Sequence, residues 1–427
     1  MTVLNVLVFP CGSEIGLEIH SALKYSKAVQ LFGASSVDDH GGYVYARYVQ
    51  IDVDVRSPFF IDSINALIKR WEIDVVVPAH DSVVLALALN AERIVATVAA
   101  PDAETAKLCR NKNATYRAFS DEAFVPTPVE GLAAHYPIFA KPAVGQGSQG
   151  AERVDNEARH VQLLGMSTEY VFSEYLPGEE YTVDCISGGS GALLHASPRV
   201  RGRVKAGISV STTPVPLDAE MISIAERIAN RLRLKGAWFF QLKRNMEGQY
   251  KLLEIAPRIA GSMGLSRNLG INYPLLTVLA YRNLPFSVHA QHYPIRLDRA
   301  LKNCYRIGLR YDTVYLDLDD TLLIGGKVNV MLVALLYQWL ARHVSVVLVT
   351  RHNRCPRETL EAHKLSPAIF SRIIHIEDGS PKSMVIDRPE SSIFIDDSYR
   401  ERLEASRNTG VPVFDVDAVE QLMDWRL

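Results

Sequence analysis

The sequence predicts a multidomain protein of the α/β and α+β classes, on three observations. The 427-residue chain is 48% apolar, which is enough to bury two or three hydrophobic cores. Residues 1–100 alternate strand and helix patterns, which is typical of a parallel sheet covered by helices. Strand-length apolar runs also follow one another after residue 310, and the middle of the chain has apolar runs joined by short turns.

Composition excludes several classes of protein. The formal net charge of −2 gives no reason to expect a nucleic-acid partner. The five cysteines are scattered without a C-x-x-C pair, so neither a disulfide framework nor a zinc site is indicated. The N-terminus has no basic segment of a signal peptide, and no stretch approaches the ~20 apolar residues of a membrane span. We therefore expect a cytoplasmic protein without a membrane partner.

The first 100 residues predict a parallel sheet with ligand-binding positions at its strand ends. The predicted strands are 3–9, 29–32 and 75–77, and the predicted helices are 14–24 and 58–71. Gly12-Ser13 and His80-Asp81 follow two of these strands, where such sheets bind small ligands. Asp81 is equally suited to cap the helix that follows it.

The most informative motif is Asp317-Leu318-Asp319-Asp320-Thr321, which follows the apolar run 313–316. Asp317 and Asp319 lie two residues apart on an extended chain, so both carboxylates face one side at the end of the strand. Such a position can hold Mg²⁺ and attack phosphorus. One carboxylate would bind metal and attack while the other handles a proton.

Three further groups follow in order. Thr350 ends the apolar run 344–349 and offers a hydroxyl to a phosphoryl oxygen. Lys382 offers a cation to the nucleophile and the phosphate. Asp396-Asp397 end the run 392–395 and supply the oxygen ligands that Mg²⁺ prefers.

These four motifs resemble the haloacid dehalogenase (HAD) superfamily of phosphohydrolases, over residues 310–427. The resemblance implies that Asp317 is the nucleophile of an aspartyl-phosphate and Asp319 the general acid and base, with Thr350 and Lys382 stabilising the phosphoryl group. The metal ligands that it implies are Asp317, Asp319, Asp396 and Asp397. For any single motif, an acidic strand end that caps a helix is the alternative.

The spacing between the motifs leaves no room for a large cap domain. Residues 322–349 hold only a Gly325-Gly326 turn and one helix over 331–341. A site without its own lid is open to water. We therefore expect either a bulky phosphorylated substrate or a lid from elsewhere in the chain.

The middle of the chain predicts a nucleotide site. Lys112 stands near the start of a helix, and Lys141 lies on the strand 138–142. The segment Gly145-Gln146-Gly147-Ser148-Gln149-Gly150 follows directly, and its backbone N–H groups can close on phosphate oxygens without obstruction by Cβ atoms. A plain hairpin turn is the alternative interpretation of the glycines.

Residues 171–184 predict a strand, a linker and a second strand. The linker backbone at Glu174-Tyr175-Leu176 could pair with an adenine edge, and Glu180 could reach ribose hydroxyls. Residues 239–242 and 251–255 predict paired strands. Gln241 and Glu254 would then face each other and share Mg²⁺, with Arg258 just beyond to meet phosphate.

Residues 1–300 resemble the ATP-grasp superfamily, and are most similar to its carbamoyl-phosphate-synthase-like and biotin-carboxylase-like ligases. The resemblance implies Mg²⁺ binding by Gln241 and Glu254, and stabilisation of an acyl phosphate by Arg258. The ATP-binding residues that it implies are Lys112, Lys141, Gly145, Gly147, Ser148, Glu174, Tyr175, Leu176 and Glu180. The implied cofactors are ATP and Mg²⁺, with Mn²⁺ as a substitute ion.

Two features of the middle region leave alternatives open. Ala256 stands where the family has an asparagine ligand, and a methyl group cannot bind Mg²⁺. A basic cluster consists of Arg199, Arg201, Arg203 and Lys205. On a strand, these alternate residues would aim their charges at one face, which suits acidic substrate groups. A solvated strand edge is the alternative interpretation.

The predicted organisation is a pre-ATP-grasp Rossmann-like domain (1–100), an ATP-grasp domain (101–305) and a HAD-like Rossmannoid domain without a large cap (310–427). The predicted function is an ATP-dependent ligase fused to a phosphatase. Its partners would be a small-molecule carboxylate, an amine or similar nucleophile, and a phosphorylated substrate; a homo-oligomer is left open. The alternatives are an ATP-dependent kinase with a phosphatase, or a nucleotide sensor with one inactive module.

Overall fold

The structure is a computed structural model that describes residues 3–145, 147–205 and 207–426. The chain divides into two compact units, Met1–Lys302 and Asn303–Leu427. Parallel sheets occur near both ends of the chain, with an antiparallel region between them, which confirms a mixed α/β fold. The three predicted domain boundaries remain predictions.

The first unit begins with a five-stranded parallel sheet in the order β3-β2-β1-β4-β5. The strands are β1 (Leu4–Phe9), β2 (Val29–Ser35), β3 (Tyr48–Gln50), β4 (Val75–Pro78) and β5 (Thr97–Val98). The helices of this region are α1 (Glu14–Leu23), α2 (Gly41–Val44), α3 (Phe60–Trp71) and α4 (Asp81–Leu89). The predicted parallel sheet is therefore confirmed.

Two helix caps position the strand ends of this sheet. The Ser13 hydroxyl accepts from the backbone N–H of Gly16 (3.0 Å) and begins α1. The imidazole of His80 accepts from the N–H of Ser82 (3.2 Å) and begins α4. The capping role considered for Asp81 is therefore wrong, because the preceding histidine is the cap and the Asp81 carboxylate bonds elsewhere.

Helices α5 (Ala103–Arg110) and α6 (Lys112–Ala118) lead into two antiparallel sheets. The smaller sheet has the order β7-β6-β8, with strands β6 (Ile138–Pro142), β7 (Glu152–Val154) and β8 (Tyr170–Glu174). Helix α7 (Glu157–Leu164) connects β7 to β8. The larger has the order β13-β12-β9-β10-β11-β14. Its strands are β9 (Glu180–Ser187), β10 (Leu193–Lys205), β11 (Ile208–Pro214), β12 (Gly236–Arg244), β13 (Tyr250–Ala256) and β14 (Leu297–Asp298).

Helix α8 (Ala219–Leu232) covers the larger sheet. Its buried face, including Met221, Ile224 and Ile228, lies in one core with Trp238 and Phe240 of β12. This apolar layer fixes one face of the sheet and leaves the other face for polar side chains. Helices α9 (Gly264–Asn268) and α10 (Tyr273–Tyr281) follow β13.

The second unit is a five-stranded parallel sheet in the order β19-β18-β15-β20-β21. Its strands are β15 (Thr313–Leu316), β18 (Ser345–Thr350), β19 (Arg372–His375), β20 (Ser392–Ile395) and β21 (Val413–Phe414). A hairpin of β16 (Leu323–Ile324) and β17 (Lys327–Val328) follows β15, and the helices are α11 (Val330–Ala341), α12 (Pro356–Ala362) and α13 (Tyr399–Thr409). The predicted strands and the helix after the Gly325-Gly326 turn are confirmed.

No helix in the described part of the chain combines the length and the apolar character that crossing a membrane requires.

A buried ion pair joins β9 and β10 on the polar face of the larger sheet. Arg199 donates from Nε (2.7 Å) and Nη2 (3.0 Å) to the two carboxylate oxygens of Asp184. The two side chains are 3% and 0% exposed. Because neither charge reaches water, each depends on the other for its solvation.

We expect Arg199→Met to lower the free energy of unfolding by about 3–5 kcal/mol, because it leaves the Asp184 carboxylate buried and unpaired. Arg203 on the same strand is the matched control, since its pair with Asp298 is exposed. Arg203→Met should change stability by less than about 1 kcal/mol. Urea unfolding measures both, and equal losses would contradict this account.

Candidate functional site

The predicted nucleotide-binding residues converge on one cavity of the first unit. They come from segments far apart in the sequence, between α6 and β13. The predicted residues that line the cavity are Lys112, Lys141, Gly145, Gly147, Ser148, Glu174, Leu176, Glu180, Gln241 and Glu254. Tyr175 is not among the lining residues, and its ring instead lies under the guanidinium of Arg153 (4.9 Å).

Lys141 is a buried cation with neutral partners. Its ammonium donates to the hydroxyl of Tyr116 (2.6 Å) and to the carbonyl of Leu253 (2.9 Å). Burial, together with the nearby Lys112, lowers the pKa of Lys141 to about 7. Burial also lowers the pKa of Lys112, which begins α6 after the Asn111 cap. An anion bound at this wall would favour the charged form of both lysines.

The glycine-rich segment joins β6 and β7, which pair antiparallel. The hairpin interpretation is therefore right about the topology, and it does not compete with ligand binding, because Gly145, Gly147 and Ser148 line the cavity. A Cβ atom at Gly207 would lie 2.0 Å from the carbonyl carbon of Gly147, so the two backbones meet only without side chains. Gln146 lies outside the described residues.

The linker after β8 forms another part of the wall. The carboxylate of Glu174 accepts from the backbone N–H of Thr127 (2.8 Å), and Leu176 is buried against the cavity. Glu180 forms an ion pair with Arg201, whose Nη1 also donates to Gln241 Oε1 (3.0 Å). Glu180, the residue predicted to contact ribose, is thus already ion-paired with Arg201, which belongs to the predicted basic cluster.

Gln241 and Glu254 are direct partners on the adjacent strands β12 and β13, as predicted. Their side chains supply one amide oxygen and one carboxylate to the cavity wall. Mg²⁺ is usually held by one or two such ligands together with water and substrate phosphates, so the pair fits this ion. Ala256 is buried at the end of β13 and adds no ligand.

Arg258 is held by an ion pair that the sequence did not reveal. Its Nε and Nη2 donate to the two oxygens of Asp81, at 2.6 and 2.9 Å, and its guanidinium lies over the ring of Phe239 (5.2 Å). Burial opposes the charge of Asp81, but Arg258 outweighs it and holds the pKa of that carboxyl at about 2. The strand-end carboxylate of the parallel sheet therefore orients the arginine.

The basic residues of β10 divide into two pairs, so each predicted alternative holds for only part of the cluster: Arg199 and Arg201 line one cavity, whereas Arg203 and Lys205 are exposed. Register shifts interrupt the pairing of β10 with β11 on both sides of Arg203. Arg199 is buried on Asp184, Arg201 enters the cavity, Arg203 is exposed on Asp298, and Lys205 is exposed. The irregular strand breaks the two-residue period on which the prediction rested.

A second cavity adjoins the first and shares Arg201, Gln241 and Glu254 with it. It extends past Arg258 and Arg199 to strand ends of the parallel sheet. Within the described residues, Arg199 Nη1 and Arg201 Nε are buried donors without a hydrogen-bond acceptor. Two arginines of its wall therefore each keep an unsatisfied buried donor near the predicted metal pair.

In the second unit, Lys382 lies between two carboxylates at the ends of adjacent strands. Its ammonium donates to Asp317 Oδ1 (2.6 Å) and Asp396 Oδ2 (2.7 Å). Burial, with the neighbouring Asp396, raises the pKa of Asp317 above its ordinary range, and Lys382 offsets part of this. Burial opposes the charge of Lys382, but the two carboxylates outweigh it and raise its pKa.

Asp317, Asp396 and Asp397 place carboxylate oxygens within 4.8 Å of one another. This three-carboxylate set fits a hard cation such as Mg²⁺. Thr350 ends β18 beside them, fully buried, and its hydroxyl accepts from the backbone N–H of His352 (3.1 Å). Within the described residues its O–H has no hydrogen-bond acceptor.

Asp319 lies apart from the other carboxylates. Its side chain is not one of the three that converge, and it bonds the imidazole of His352 instead (2.9 and 3.0 Å to Nδ1). The expectation that its carboxylate joins the metal ligands is therefore not met in this arrangement. It adjoins an open pocket that is also lined by Gly325, Gly326 and Arg354.

We expect Lys382→Met to destabilise the protein by about 3–5 kcal/mol at pH 8 in EDTA, because two buried carboxylates lose their cation. The loss should shrink toward pH 5. A carboxyl whose folded pKa is raised binds more protons in the folded state, so stability falls as pH rises toward the folded pKa, which is about 7 for Asp317 with Lys382 in place. Lys382 lowers this pKa, so the pKa is higher in the variant, and the variant loses more stability than the unchanged protein as pH rises.

Urea unfolding at both pH values measures this dependence, and Lys327→Met at an exposed position is the control. A loss that does not depend on pH would contradict the account.

Comparison with protein-family models gives a match to the family described as "ATP-grasp in the biosynthetic pathway with Ter operon", over residues 167–301. Comparison with curated protein sequences gives no match. All further likeness is to solved structures.

One such structure is the biotin carboxylase domain dimer of Hydrogenobacter thermophilus 2-oxoglutarate carboxylase, in complex with MgADP, ADP and bicarbonate (14% identity, 68% of this chain and 72% of that chain, TM-score 0.55). Another is the L-amino acid ligase of Bacillus licheniformis (19%, 66% and 74%, 0.53). A third is N5-carboxyaminoimidazole synthetase of Staphylococcus aureus with ADP (14%, 70% and 83%, 0.56). These likenesses show that the chain contains the ATP-grasp fold.

Proposed function

We propose that the first unit is an ATP-dependent carboxylate–amine ligase, or a ligase of a related nucleophile, and that it acts through an acyl phosphate. The second unit is proposed as a HAD-type phosphohydrolase that acts through an aspartyl-phosphate. The observation that carries the proposal is the convergence of separate sequence motifs on two acidic, cation-lined sites.

The first cavity has the features that a nucleotide requires. Leu176 and Leu253 supply apolar walls for a base, while Lys112 and Lys141 supply positive charge for phosphates. Gln241 and Glu254 would hold Mg²⁺, which offsets phosphate charge when bound. Similar proteins with the same fold are described in complex with ADP, which supports this proposal.

The second cavity suits the carboxylate that accepts the phosphoryl group. An acceptor oxygen would attack the γ-phosphorus of ATP, the bond to ADP would break, and an acyl phosphate would form. An amine nitrogen would then attack the acyl carbon and expel phosphate. Arg258, oriented by Asp81, would neutralise the oxyanions of both steps.

In the second unit, Asp317 would attack phosphorus and Lys382 would neutralise the transferred oxygens. The alcohol leaves with a proton from Asp319, which then takes a proton from the water that hydrolyses the aspartyl-phosphate. Asp317, Asp396 and Asp397 would hold Mg²⁺. In the described residues, only a short hairpin and one helix lie between the first two motifs, so the proposed substrate is large or meets a lid from elsewhere.

A nucleotide sensor is the second candidate, and Ala256 is the observation that favours it, because the proposed metal site lacks a third side-chain ligand. Release of ADP and phosphate across a panel of carboxylates and amines separates the candidates. A ligase releases ADP and phosphate only when both the carboxylate and the amine are present. A kinase forms ADP without the amine, and a sensor releases no product with any substrate of the panel.

We expect Asp317→Asn to lower phosphatase turnover by about 10³-fold or more while ligase turnover stays unchanged. Glu254→Gln should have the opposite pattern. Assays of inorganic phosphate from a phosphoester, and of ADP from the ligation, measure the two activities separately. Loss of both activities in either variant would contradict two independent sites.

We expect nucleotide binding to take up close to one proton at pH 8.5. Lys141 has a pKa of about 7 in the free protein, so it is neutral at this pH, and bound phosphates would favour its charged form. The affinity for MgADP should therefore fall as pH rises through 7.

Calorimetric titration with MgADP in buffers of different ionisation enthalpy measures this uptake. It should vanish at pH 6, where the lysine is already charged, and in Lys141→Met at pH 8.5. Binding without proton uptake at pH 8.5 in the unchanged protein would be evidence against a neutral Lys141.

A further inference from the structure

His352 is the side chain that orients Asp319. The Asp319 carboxylate is half exposed, and among the described side chains its hydrogen-bond partner is the Nδ1 of His352, at 2.9 and 3.0 Å from the two oxygens. Asp320 follows with a positive φ of 51°, so the chain turns away directly after Asp319. Without the imidazole, the carboxylate would be free to rotate in the open pocket beside it.

His352 is itself held by three further hydrogen bonds, one to its ring and two to its backbone. Its Nε2 lies 2.9 Å from the hydroxyl of Thr359 on α12. Its backbone N–H donates to the Thr350 hydroxyl (3.1 Å), and its carbonyl accepts from His375 Nε2 (2.6 Å). A ring that is held at both nitrogens and on both sides of its backbone has little freedom to change its orientation.

The partners also assign the tautomer of the ring. An ionised carboxylate only accepts hydrogen bonds, so Nδ1 carries the hydrogen that faces Asp319. Nε2 then accepts from the Thr359 O–H. A hydrogen bond from Nδ1 is stronger to a carboxylate than to a carboxylic acid. The contact therefore strengthens as Asp319 gives up a proton.

We propose that His352 is a positioning residue for leaving-group protonation, with Thr359 holding its ring. The inference rests on the proposed phosphatase function of the second unit. In the step concerned, an oxygen of Asp317 bonds to phosphorus while the bond from phosphorus to the ester oxygen breaks. The proton of Asp319 moves to that ester oxygen, and the resulting carboxylate accepts from His352.

The test compares two esters that differ in their need for a proton. p-Nitrophenolate leaves without protonation, whereas phenolate, a stronger base, leaves poorly unless it is protonated. We expect His352→Leu to lower kcat/KM by about 100-fold for phenyl phosphate and by less than about 3-fold for p-nitrophenyl phosphate. A general loss of structure would lower both by the same factor.

Rescue by a conservative variant adds a second readout. The amide nitrogen of an asparagine occupies roughly the place of Nδ1, so His352→Asn should recover most of the phenyl phosphate activity. His343→Asn is the matched control, because His343 is exposed on the turn after α11. His343→Asn should leave kcat/KM unchanged for both esters.

Thr359→Val keeps the ring and removes the donor to Nε2, so it decides the question if His352→Leu does not fold. The same selective loss, smaller in size, would support the proposal. Equal losses for the two esters, or no recovery in His352→Asn, would overturn it. Phosphatase activity that survives in Asp317→Asn, or that is absent from the unchanged protein, would instead overturn the phosphatase assignment.

Discussion

Removal of charged side chains from water is the constraint on which both sites depend. Lys382 is buried between Asp317 and Asp396, and none of the three charges is stable there without the others. Lys141 is buried with neutral hydrogen-bond partners, so burial destabilises its charge. One candidate site thus balances its charges within the protein, whereas the other pairs its buried lysine with neutral groups. A polyphosphate bound in the first cavity, as we propose, would stabilise the charged form of this lysine.

The sheets bring these charges together for different reasons. In the second unit, the parallel strands β15, β18 and β20 are adjacent, so Asp317, Thr350 and Asp396 meet at one edge. In the first unit, the antiparallel register of β12 and β13 sets Gln241 directly opposite Glu254. Topology therefore decides which residues meet, and burial then decides their charge. A helix-covered apolar face behind each sheet holds this arrangement rigid.

The arginines illustrate how positioning is shared between distant segments. Arg258 stands just after β13 of the larger sheet, but Asp81 from the first 100 residues sets its orientation. Arg201 links the ribose candidate Glu180 to the metal candidate Gln241. His352 has the same relation to Asp319 in the second unit. In each case a group proposed for chemistry depends on a neighbour from outside its own sequence motif.

The sequence by itself determined the central strands of the parallel sheets, the antiparallel pairing of β12 with β13, and most of the residues that line the two candidate sites, because the hydrophobic period and the strand-end motifs are local signals. It correctly paired Gln241 with Glu254 and grouped Asp317 with Asp396. Only the tertiary structure decided the partners of Arg258, Arg199 and Asp319, since these ion pairs and hydrogen bonds join residues that are distant along the chain. It also decided the faces of β10, where a bulge breaks the two-residue period on which prediction relies. Local periodicity is written in the order of residues, whereas electrostatic pairing depends on which distant groups burial forces together.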